Sequence, residues 1–368
     1  MNQAPTVPDD PAPDEPTGTI SAGKYRGLRT LADARGVFRM LAVDQRPPIF
    51  AALAAHDGRR PEQVGYDEVQ WVKLLLTRVL APASSAVLID PIWTHPRALG
   101  VVPGSVGLLS TLEDHAFAVR GGERFSRAIE GWSVAKIKRS GAAGVKLLVW
   151  HRPDVSPENQ AHQDDLVLAV GDACRAHDIP FVLELLIYPL GGENVASAEY
   201  AKAKPRLVLG SVRHYSQERF GVDLLKVEFP NDLKFVSEFS SGAFDGRRRE
   251  AVHDLADTRG FLAELNAAAG VPWVMLSAGV TPREFEVQLE LSAAAGASGF
   301  LAGRAVWLDA LSVYPDLEAV ERDLRSLSLP YLNRIAAVVE AAGPWTEHRR
   351  YRGAPTLSND GEAWYREY

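Results

Sequence analysis

The chain has 368 residues, of which 46% are hydrophobic and 24% are charged, and its formal net charge at pH 7 is −7. These proportions are ordinary for a globular enzyme with a large core. The negative charge excludes nucleic acid as the main partner, because nucleic-acid binding requires a dense basic face that displaces counterions. A small anionic substrate remains possible, since it needs only a local basic pocket.

The sequence contains one cysteine, Cys174, so it cannot form an intramolecular disulfide bond, and nothing in it indicates export. Cys174 lies in a helical stretch, where we expect a buried structural thiol, with a nucleophilic role as the alternative. No run of about 18 apolar residues is present, which predicts no membrane span. The first residues lack the basic start and apolar middle of a signal peptide, so we expect a cytoplasmic protein.

The two ends of the chain differ in composition from its middle. Residues 1–20 are rich in proline and aspartate and almost empty of large apolar groups, so we expect a disordered tail there. Residues 353–368 form a C-terminal extension, a weaker case whose aromatic residues can dock on the folded part. Between them, residues 21–352 contain no linker and no short repeat, and we predict a single domain.

This central segment alternates short apolar runs with longer amphipathic ones. The apolar runs are continuous, as expected for parallel strands that are covered on both faces, although the third is faint. Strand–helix alternation predicts an α/β fold, and eight such units favour a (β/α)8 TIM barrel over a doubly wound sheet. No GxGxxG follows the first run, which weakens a dinucleotide-binding alternative. The apolar runs that mark the eight predicted strands lie at 38–44, 85–92, 105–111, 144–150, 181–188, 223–229, 273–279 and 299–307.

Ionisable residues lie inside or at the ends of four apolar runs: Asp44, Lys146, Glu184 and Lys226. Glu228 has the same strand parity as Lys226, so we expect the two side chains on the same face. A buried charge is costly unless it is paired, and near the C-terminal end of a barrel strand it indicates catalysis. The alternative is a structural ion-pair cluster that fills the barrel.

Two lysines and two carboxylates on four strands are the groups that amine catalysis requires. A lysine amine attacks a ketone only when it is unprotonated, and burial and a nearby cation both favour that form. Lys146 is a candidate for the cation beside Lys226. Glu184 and Asp44 are candidates for moving protons, because the resulting imine acts as an electron sink that lets a carbon–carbon bond break.

A phosphate site is indicated after the seventh and eighth runs, the usual place for one in this fold. In the loop from Ser277, Gly279 lets the backbone approach an anion closely, and Thr281 is the expected N-cap of the next helix. After the eighth run, Gly303 precedes Arg304, whose guanidinium can bind phosphate with two N–H groups. Alternatively, the glycines only form turns and Arg304 is solvated.

The nine histidines show no pairing at i, i+2 or i, i+4 on a strand end, so we predict no metal site. We likewise predict no cofactor. His151, directly after the fourth run, is a candidate for contact with a substrate, and a surface position is the alternative.

The sequence resembles the class I tagatose 1,6-bisphosphate aldolase family, whose relatives include sulfofructosephosphate aldolases. The resemblance covers roughly residues 28–350, and its most specific segments are ERFGVDLLKVEFP (218–230), LSAGV (276–280) and LAGRAVW (301–307). The other matching segments are LAVDQR (41–46), ASSAVLIDP (83–91), GWSVAKIKRSGAAGVKLL (131–148), CRAHDIPFVLELLIY (174–188) and PWTE (344–347). The two tails depart from the family, as does the loop WHRPDVSPENQ after the fourth run, where the family more often has a tyrosine and acidic residues.

This resemblance implies a (β/α)8 barrel and an aldol cleavage that needs no metal. The family's Schiff-base lysine matches Lys226, its acid/base glutamate matches Glu184, and its second lysine matches Lys146. Its active-site Asp-Gln pair matches Asp44 and Gln45. The residues that match its phosphate-binding loops are Ser277, Gly279, Gly303 and Arg304.

The implied substrate is a ketohexose 1,6-bisphosphate, tagatose 1,6-bisphosphate first, which is cleaved reversibly to dihydroxyacetone phosphate and glyceraldehyde 3-phosphate. The second anion of such a sugar needs its own cation, and the candidates near strand ends are Arg46, Arg120, His151 and Arg152. The alternatives are the same mechanism on a sulfonated or monophosphorylated ketose, a metal-dependent aldolase, and a non-catalytic sugar-phosphate sensor. The sequence does not choose the C4 epimer, and the resemblance implies a homo-oligomer, with a dimer expected.

Overall fold

The computed structural model describes residues 18–358 and 361–368, and its central feature is a closed barrel of eight parallel strands. Each strand pairs with the next one along the chain, and the eighth returns to pair with the first. All eight predicted strands are present, the faint third one included, so the predicted (β/α)8 barrel is confirmed. The strands are β1 (Phe38–Ala42), β2 (Ala86–Ile89), β3 (Gly107–Thr111), β4 (Gly144–Trp150), β5 (Phe181–Leu186), β6 (Leu224–Val227), β7 (Trp273–Leu276) and β8 (Gly299–Ala302).

Helices connect most of the strands and cover the outside of the barrel. They are α1 (Ala22–Leu31), α2 (Pro47–Ala55), α3 (Tyr66–Leu80), α4 (Val134–Arg139), α5 (Pro157–Ala176), α6 (Ala198–Tyr215), α7 (Leu255–Ala268), α8 (Pro282–Ala294), α9 (Arg304–Trp307), α10 (Leu317–Asp323), α11 (Leu329–Val338) and α12 (Trp364–Glu367). Hydroxyl side chains begin several of them, and Thr281 accepts the capping bond that the sequence predicts at the start of α8. Within the described ranges, no helix is long and apolar enough to cross a membrane.

The apolar runs are continuous because both faces of each strand are buried. On the inner face, side chains such as Met40, Val182 and Leu301 pack together in the barrel interior. On the outer face, residues of opposite parity, such as Leu41 and Leu183, pack in a larger cluster with the helices. Parity along each strand therefore decides whether a side chain lies inside the barrel or under a helix.

α1 closes the N-terminal end of the barrel. Leu28 and Leu31 of this helix belong to the interior cluster. Gly27 allows the close approach, since a Cβ there would lie 2.5 Å from both the Ala143 carbonyl oxygen and the Pro180 ring. Apolar groups thus fill the interior at this end of the barrel.

The predicted boundary of the N-terminal tail is wrong by a few residues. Thr19 and Ile20 form a short strand that pairs in parallel with Thr356 and Leu357, inside the predicted C-terminal extension. Ile20 is buried and belongs to the interior cluster, which gives this pairing an apolar anchor. Residues 18–20 therefore belong to the folded part, and the rest of the predicted tail, 1–17, lies outside the described residues.

Cys174 is buried in α5, and burial raises the pKa of its thiol to about 12. A cysteine nucleophile must be a thiolate, so this position fits the expected structural thiol and not the nucleophilic alternative.

We expect Gly299→Ala to lower the free energy of unfolding by about 2 kcal/mol or more, because left-handed backbone is strained for alanine. Gly299 has a φ of +129°, and a Cβ there would overlap the Phe38 carbonyl oxygen where β8 meets β1. Gly260→Ala in α7 is the matched control, since its added Cβ meets nothing within 4 Å. It should stabilise the protein by about 0.5–1 kcal/mol in the same urea denaturation. Equal effects of the two substitutions would contradict this account.

Candidate active site

Ionisable residues form the layer of the barrel interior next to the C-terminal ends of the strands. Lys146 lies in β4, Glu184 in β5 and Lys226 in β6, and Asp44 follows β1 by two residues. The Cα atoms of Glu184 and Lys226 are direct partners in the β5–β6 register, so their side chains leave neighbouring strands at the same height. All four side chains are buried, and the structure brings them into one cluster.

Lys146 is the centre of this cluster. Its Nζ lies 2.9 Å from Asp44 Oδ2 and 2.7 Å from Glu184 Oε2, and it also contacts Oε1 of Glu113. The other oxygen of Glu184, Oε1, lies 2.9 Å from Nζ of Lys226. Glu184 therefore bridges the two lysines, and it is the one carboxylate partner that Lys226 has in the described part of the chain.

The charges of the cluster stabilise one another. Burial acts to lower the pKa of Lys146, but the surrounding carboxylates outweigh it and hold the pKa well above its ordinary value, so Lys146 stays charged. Burial acts to raise the pKa of Asp44, and the two lysines overcome it and lower the pKa to about 2. The pKa of Glu184 is also lowered, because Lys146 and Lys226 outweigh the effect of its burial.

Of the two lysines, Lys226 is the one with fewer carboxylate partners among the described residues. Lys146 is held by three carboxylates, whereas Lys226 shares its one carboxylate with that cation. Glu184 lies within hydrogen-bonding distance of Lys226 Nζ, so it can exchange a proton with the amine. An amine, a fixed cation and a bridging carboxylate in a buried site are the groups needed to form and break an imine.

The sequence prediction misses Glu113. Glu113 follows β3 by two residues, and its carboxylate contacts Lys146 and accepts a 3.1 Å hydrogen bond from the backbone N–H of Leu148. The apolar run of β3 is the faintest of the eight, so the residues after it carried little signal. A carboxylate two residues beyond a barrel strand, as Asp44 is beyond β1, is the pattern that identifies it.

The two predicted phosphate-binding loops lie side by side. Ala278 and Gly279 have φ values of +46° and +79°, and Ser277 before them is buried. A Cβ on Gly279 would lie 2.7 Å from a terminal nitrogen of Arg304, so the glycine makes room for the guanidinium. The guanidinium of Arg304 makes no hydrogen bond or ion pair with any described residue, and burial lowers its pKa. Its N–H groups are thus available to an anion.

Gln45 and Gly303 are in contact beside this loop pair. A Cβ on Gly303 would lie 2.7 Å from Nε2 of Gln45 and 2.8 Å from the Ala42 carbonyl oxygen. Oε1 of Gln45 and Oδ1 of Asp44 are buried without a hydrogen-bond partner among the described residues. Buried acceptors are almost always satisfied in a working protein, so these two oxygens are suited to receive hydroxyl groups of a bound molecule.

Arg46 and Glu228 have other partners. Arg46 donates a 3.1 Å hydrogen bond to the Glu113 carbonyl oxygen, so it supports the loop that carries Glu113. Glu228 accepts a 2.7 Å hydrogen bond from the backbone N–H of Ile187 and lies 3.7 Å from Nζ of Lys204. A direct contact of Arg46 with substrate stays a prediction.

Comparison with known proteins identifies the family of this chain. The DeoC/LacD family aldolase model matches residues 38–309, which include the whole barrel. The chain belongs to this aldolase family. Relatives include tagatose 1,6-diphosphate aldolase 2 of Streptococcus mutans, 32% identical over 89% of this chain and 98% of its own. The tagatose 1,6-diphosphate aldolase of Lactococcus lactis is also 32% identical, over 89% of this chain and 99% of its own.

Solved aldolase structures share the fold of this DeoC/LacD family aldolase. An archaeal fructose-1,6-bisphosphate aldolase, with its catalytic lysine bound to the carbinolamine intermediate, has a TM-score of 0.52 at 17% identity over 85% of this chain and 98% of its own. The fructose-bisphosphate aldolase of Plasmodium falciparum gives a TM-score of 0.63 at 14% identity over 88% of this chain and 97% of its own. At these identities the likeness concerns the fold alone.

Membership of the DeoC/LacD family makes the protein a carbon–carbon lyase, as the resemblance of its sequence implies. The structure brings the predicted lysines and carboxylates together, and the role of each residue stays a prediction. Within residues 18–358 and 361–368, no three His, Cys, Asp or Glu side chains are grouped so as to hold a metal ion.

We expect Lys146→Met to lower the free energy of unfolding by about 3–5 kcal/mol, because it leaves three buried carboxylates without their shared cation. Lys226→Met is the matched control, since it removes a cation from the same layer but leaves Glu184 paired with Lys146. Its effect should be clearly smaller when both variants are unfolded in urea at neutral pH. If Lys226→Met proved the more damaging change, Lys146 would not be the central cation of the cluster.

Proposed function

We propose that the protein is a class I aldolase that cleaves a ketohexose 1,6-bisphosphate, tagatose 1,6-bisphosphate first, through a Schiff base on Lys226. The products are dihydroxyacetone phosphate and glyceraldehyde 3-phosphate. The observation that carries the proposal is the carboxylate of Glu184, which bridges Lys226 and the charged Lys146 inside the barrel. The names of the two tagatose 1,6-diphosphate aldolases, whose similarity extends over nearly the whole chain, support this substrate class.

The first half of the reaction forms the imine. Glu184 takes a proton from the Lys226 ammonium group, 2.9 Å away, and the freed amine attacks the C2 ketone of the sugar. Glu184 then returns the proton to the carbinolamine oxygen, which leaves as water. Lys146 keeps the carboxylate poised for this exchange because its fixed positive charge stabilises the ionised form.

The second half breaks the carbon–carbon bond. Glu184 or Asp44 accepts the proton of the C4 hydroxyl, the C3–C4 electron pair moves toward the iminium nitrogen, and glyceraldehyde 3-phosphate departs. The enamine that remains on Lys226 takes up a proton at C3 and becomes an iminium again. Addition of one water molecule then releases dihydroxyacetone phosphate and restores the free lysine.

Two groups of residues hold the sugar in this proposal. Arg304 and the Ser277–Gly279 loop bind the phosphate of the ketone half, because the guanidinium lies against Gly279 without a partner among the described residues. The buried oxygens of Asp44 and Gln45 accept sugar hydroxyls. A sensor would need the phosphate loops but not the buried amine, so the lysine pair favours catalysis.

The proposed partner is therefore a phosphorylated sugar, and the proposed setting is the cytoplasm. A chain with a single, buried cysteine forms no intramolecular disulfide bond and is therefore compatible with a reducing compartment, which supports this location. We further propose a homo-oligomer, with a dimer as its expected state, on the basis of the family resemblance.

We expect borohydride reduction in the presence of dihydroxyacetone phosphate to leave a stable adduct on the peptide that contains Lys226, located by mass spectrometry. Lys226→Arg should fold but neither trap nor cleave, because a guanidinium stays protonated. Reduction without the ketose phosphate is the control for unspecific labelling. An adduct on Lys146 instead, or an active Lys226→Arg variant, would overturn the assignment.

We expect kcat/KM to be higher for tagatose 1,6-bisphosphate than for 6-deoxy-6-sulfofructose 1-phosphate, because a site built for phosphate binds nearly two negative charges and a sulfonate carries one. Steady-state cleavage assays of both sugars with the same enzyme give the ratio. A preference for the sulfonated sugar by about tenfold or more would replace the proposed substrate with the sulfonated one and leave the Schiff-base mechanism intact.

A further inference from the structure

A β-hairpin in the long loop after β3 lies over the mouth of the barrel. Its strands, Ala118–Arg120 and Glu123–Phe125, are antiparallel, and both glycines of its two-residue turn have positive φ, as a tight hairpin turn requires. Directly after the hairpin, Ser126 Oγ accepts a 3.1 Å hydrogen bond from the backbone N–H of Trp150, the last residue of β4. The hairpin therefore rests on the C-terminal ends of the strands, on the side where the buried lysines lie.

Three aromatic rings surround the guanidinium of Arg124 in this hairpin. Its central carbon lies 4.1 Å from the ring centroid of Trp150, 4.8 Å from that of Phe117 and 5.1 Å from that of Tyr188. Rings attract the flat faces of a guanidinium and leave the N–H groups at its edge free. The Arg124 guanidinium makes no hydrogen bond or ion pair with any residue that the structure describes. It is a cation held in place without a counter-ion, which suits an anionic ligand.

The four cations that the sequence suggested for the far end of the sugar are already engaged. Arg120 is paired with a glutamate at 3.0 Å, and Arg152 is paired with two carboxylates, one of them at 2.9 Å. Both ring nitrogens of His151 lie 2.8 Å from polar side chains, and Arg46 donates to a backbone carbonyl. Arg124 differs from all four because its N–H groups have no partner among the described residues.

The strand register sets the level of Trp150, the ring nearest to Arg124, relative to the lysines. Leu148 of β4 is the Cα partner of Glu184, and Glu184 is the Cα partner of Lys226, so these residues share one level of the barrel. Trp150 follows Leu148 by two residues on the same face, so its ring stands about 7 Å nearer the mouth. Four carbon–carbon bonds and a terminal ester cover a comparable span between the imine carbon and the far anion.

We propose that Arg124 binds the tetrahedral oxyanion on C6 of the substrate, a phosphate or a sulfonate, while Arg304 binds the phosphate of the ketone half. This assignment rests on the proposed function, because it requires the sugar to be held at C2 by Lys226. The rings around Arg124 exclude water from one side of the contact, which strengthens the attraction between guanidinium and oxyanion. Arg124 is then the residue that selects ketoses with an anion on C6 over ketose 1-phosphates.

The test compares two substrates that differ only at C6. Arg124→Met should lower kcat/KM for tagatose 1,6-bisphosphate by about 10- to 100-fold, as expected for the loss of a charge-assisted contact, and leave that for tagatose 1-phosphate unchanged. Arg124→Lys keeps the positive charge but not the two parallel N–H groups of the guanidinium, so it should lower kcat/KM for tagatose 1,6-bisphosphate by less. Arg219→Met is the matched control, because Arg219 lies over the ring of Phe220 before β6, at the opposite end of the barrel. It should change neither value.

The outcomes separate this assignment from the proposed function. If Arg124→Met lowers kcat/KM for both sugars equally, or for neither, Arg124 only stabilises the hairpin and the assignment is overturned. If the unaltered enzyme cleaves neither sugar and dihydroxyacetone phosphate leaves no adduct on Lys226, the proposed function fails and the assignment falls with it. Repeating the pair of assays with 6-deoxy-6-sulfofructose 1-phosphate identifies the C6 anion, because the preferred one should lose more kcat/KM in Arg124→Met.

Discussion

One carboxylate, that of Glu184, contacts two buried lysines, and the rest of the barrel is arranged around this shared contact. Removing an ammonium group from water costs several kcal/mol, so two such groups are tolerated only where carboxylates surround them. The closed barrel supplies these carboxylates from distant parts of the sequence, since it brings the ends of β1, β3, β4, β5 and β6 to one layer. The apolar interior closed by α1 lies on one side of these charges, and the mouth of the barrel lies on the other.

The cluster distributes its carboxylate contacts unequally between the two lysines, and the proposed catalysis depends on this inequality. Lys146 has three carboxylate partners, which hold its pKa well above the ordinary value. Lys226 shares its single described carboxylate partner, Glu184, with Lys146, so it is the less tightly paired of the two lysines. If each lysine had its own separate ion pair, the cluster would be the purely structural alternative, in which neither amine shares a carboxylate with a second cation. The way in which carboxylates are shared between lysines therefore distinguishes the proposed catalytic cluster from a structural one with the same residue types.

The strands and their ionisable residues could be predicted from the sequence because burial on both faces leaves continuous apolar runs, in which a charge is conspicuous. Glu113 and Arg124 could not, because both lie in the long loop after the faintest strand, where no periodic pattern marks a position. The surroundings of Arg124 come from three separate segments, and only the folded chain brings their rings together. The predicted boundary of the N-terminal tail was wrong for a similar reason. The strand Thr19–Ile20 is defined by its pairing with a strand near the other terminus, which the local sequence does not indicate.

The hairpin after β3 contributes no strand to the barrel and rests on it from outside. Its sequence can therefore change with little effect on the stability of the core, whereas a change at Lys146 leaves three buried carboxylates without their shared cation. The proposed roles thus assign bond cleavage and the choice of aldehyde to separate parts of the chain, the first to the strands and the second to a surface loop. An evolving or engineered enzyme of this type can then change its substrate specificity by exchanging one loop of about twenty residues, while the lysine–carboxylate cluster stays unchanged.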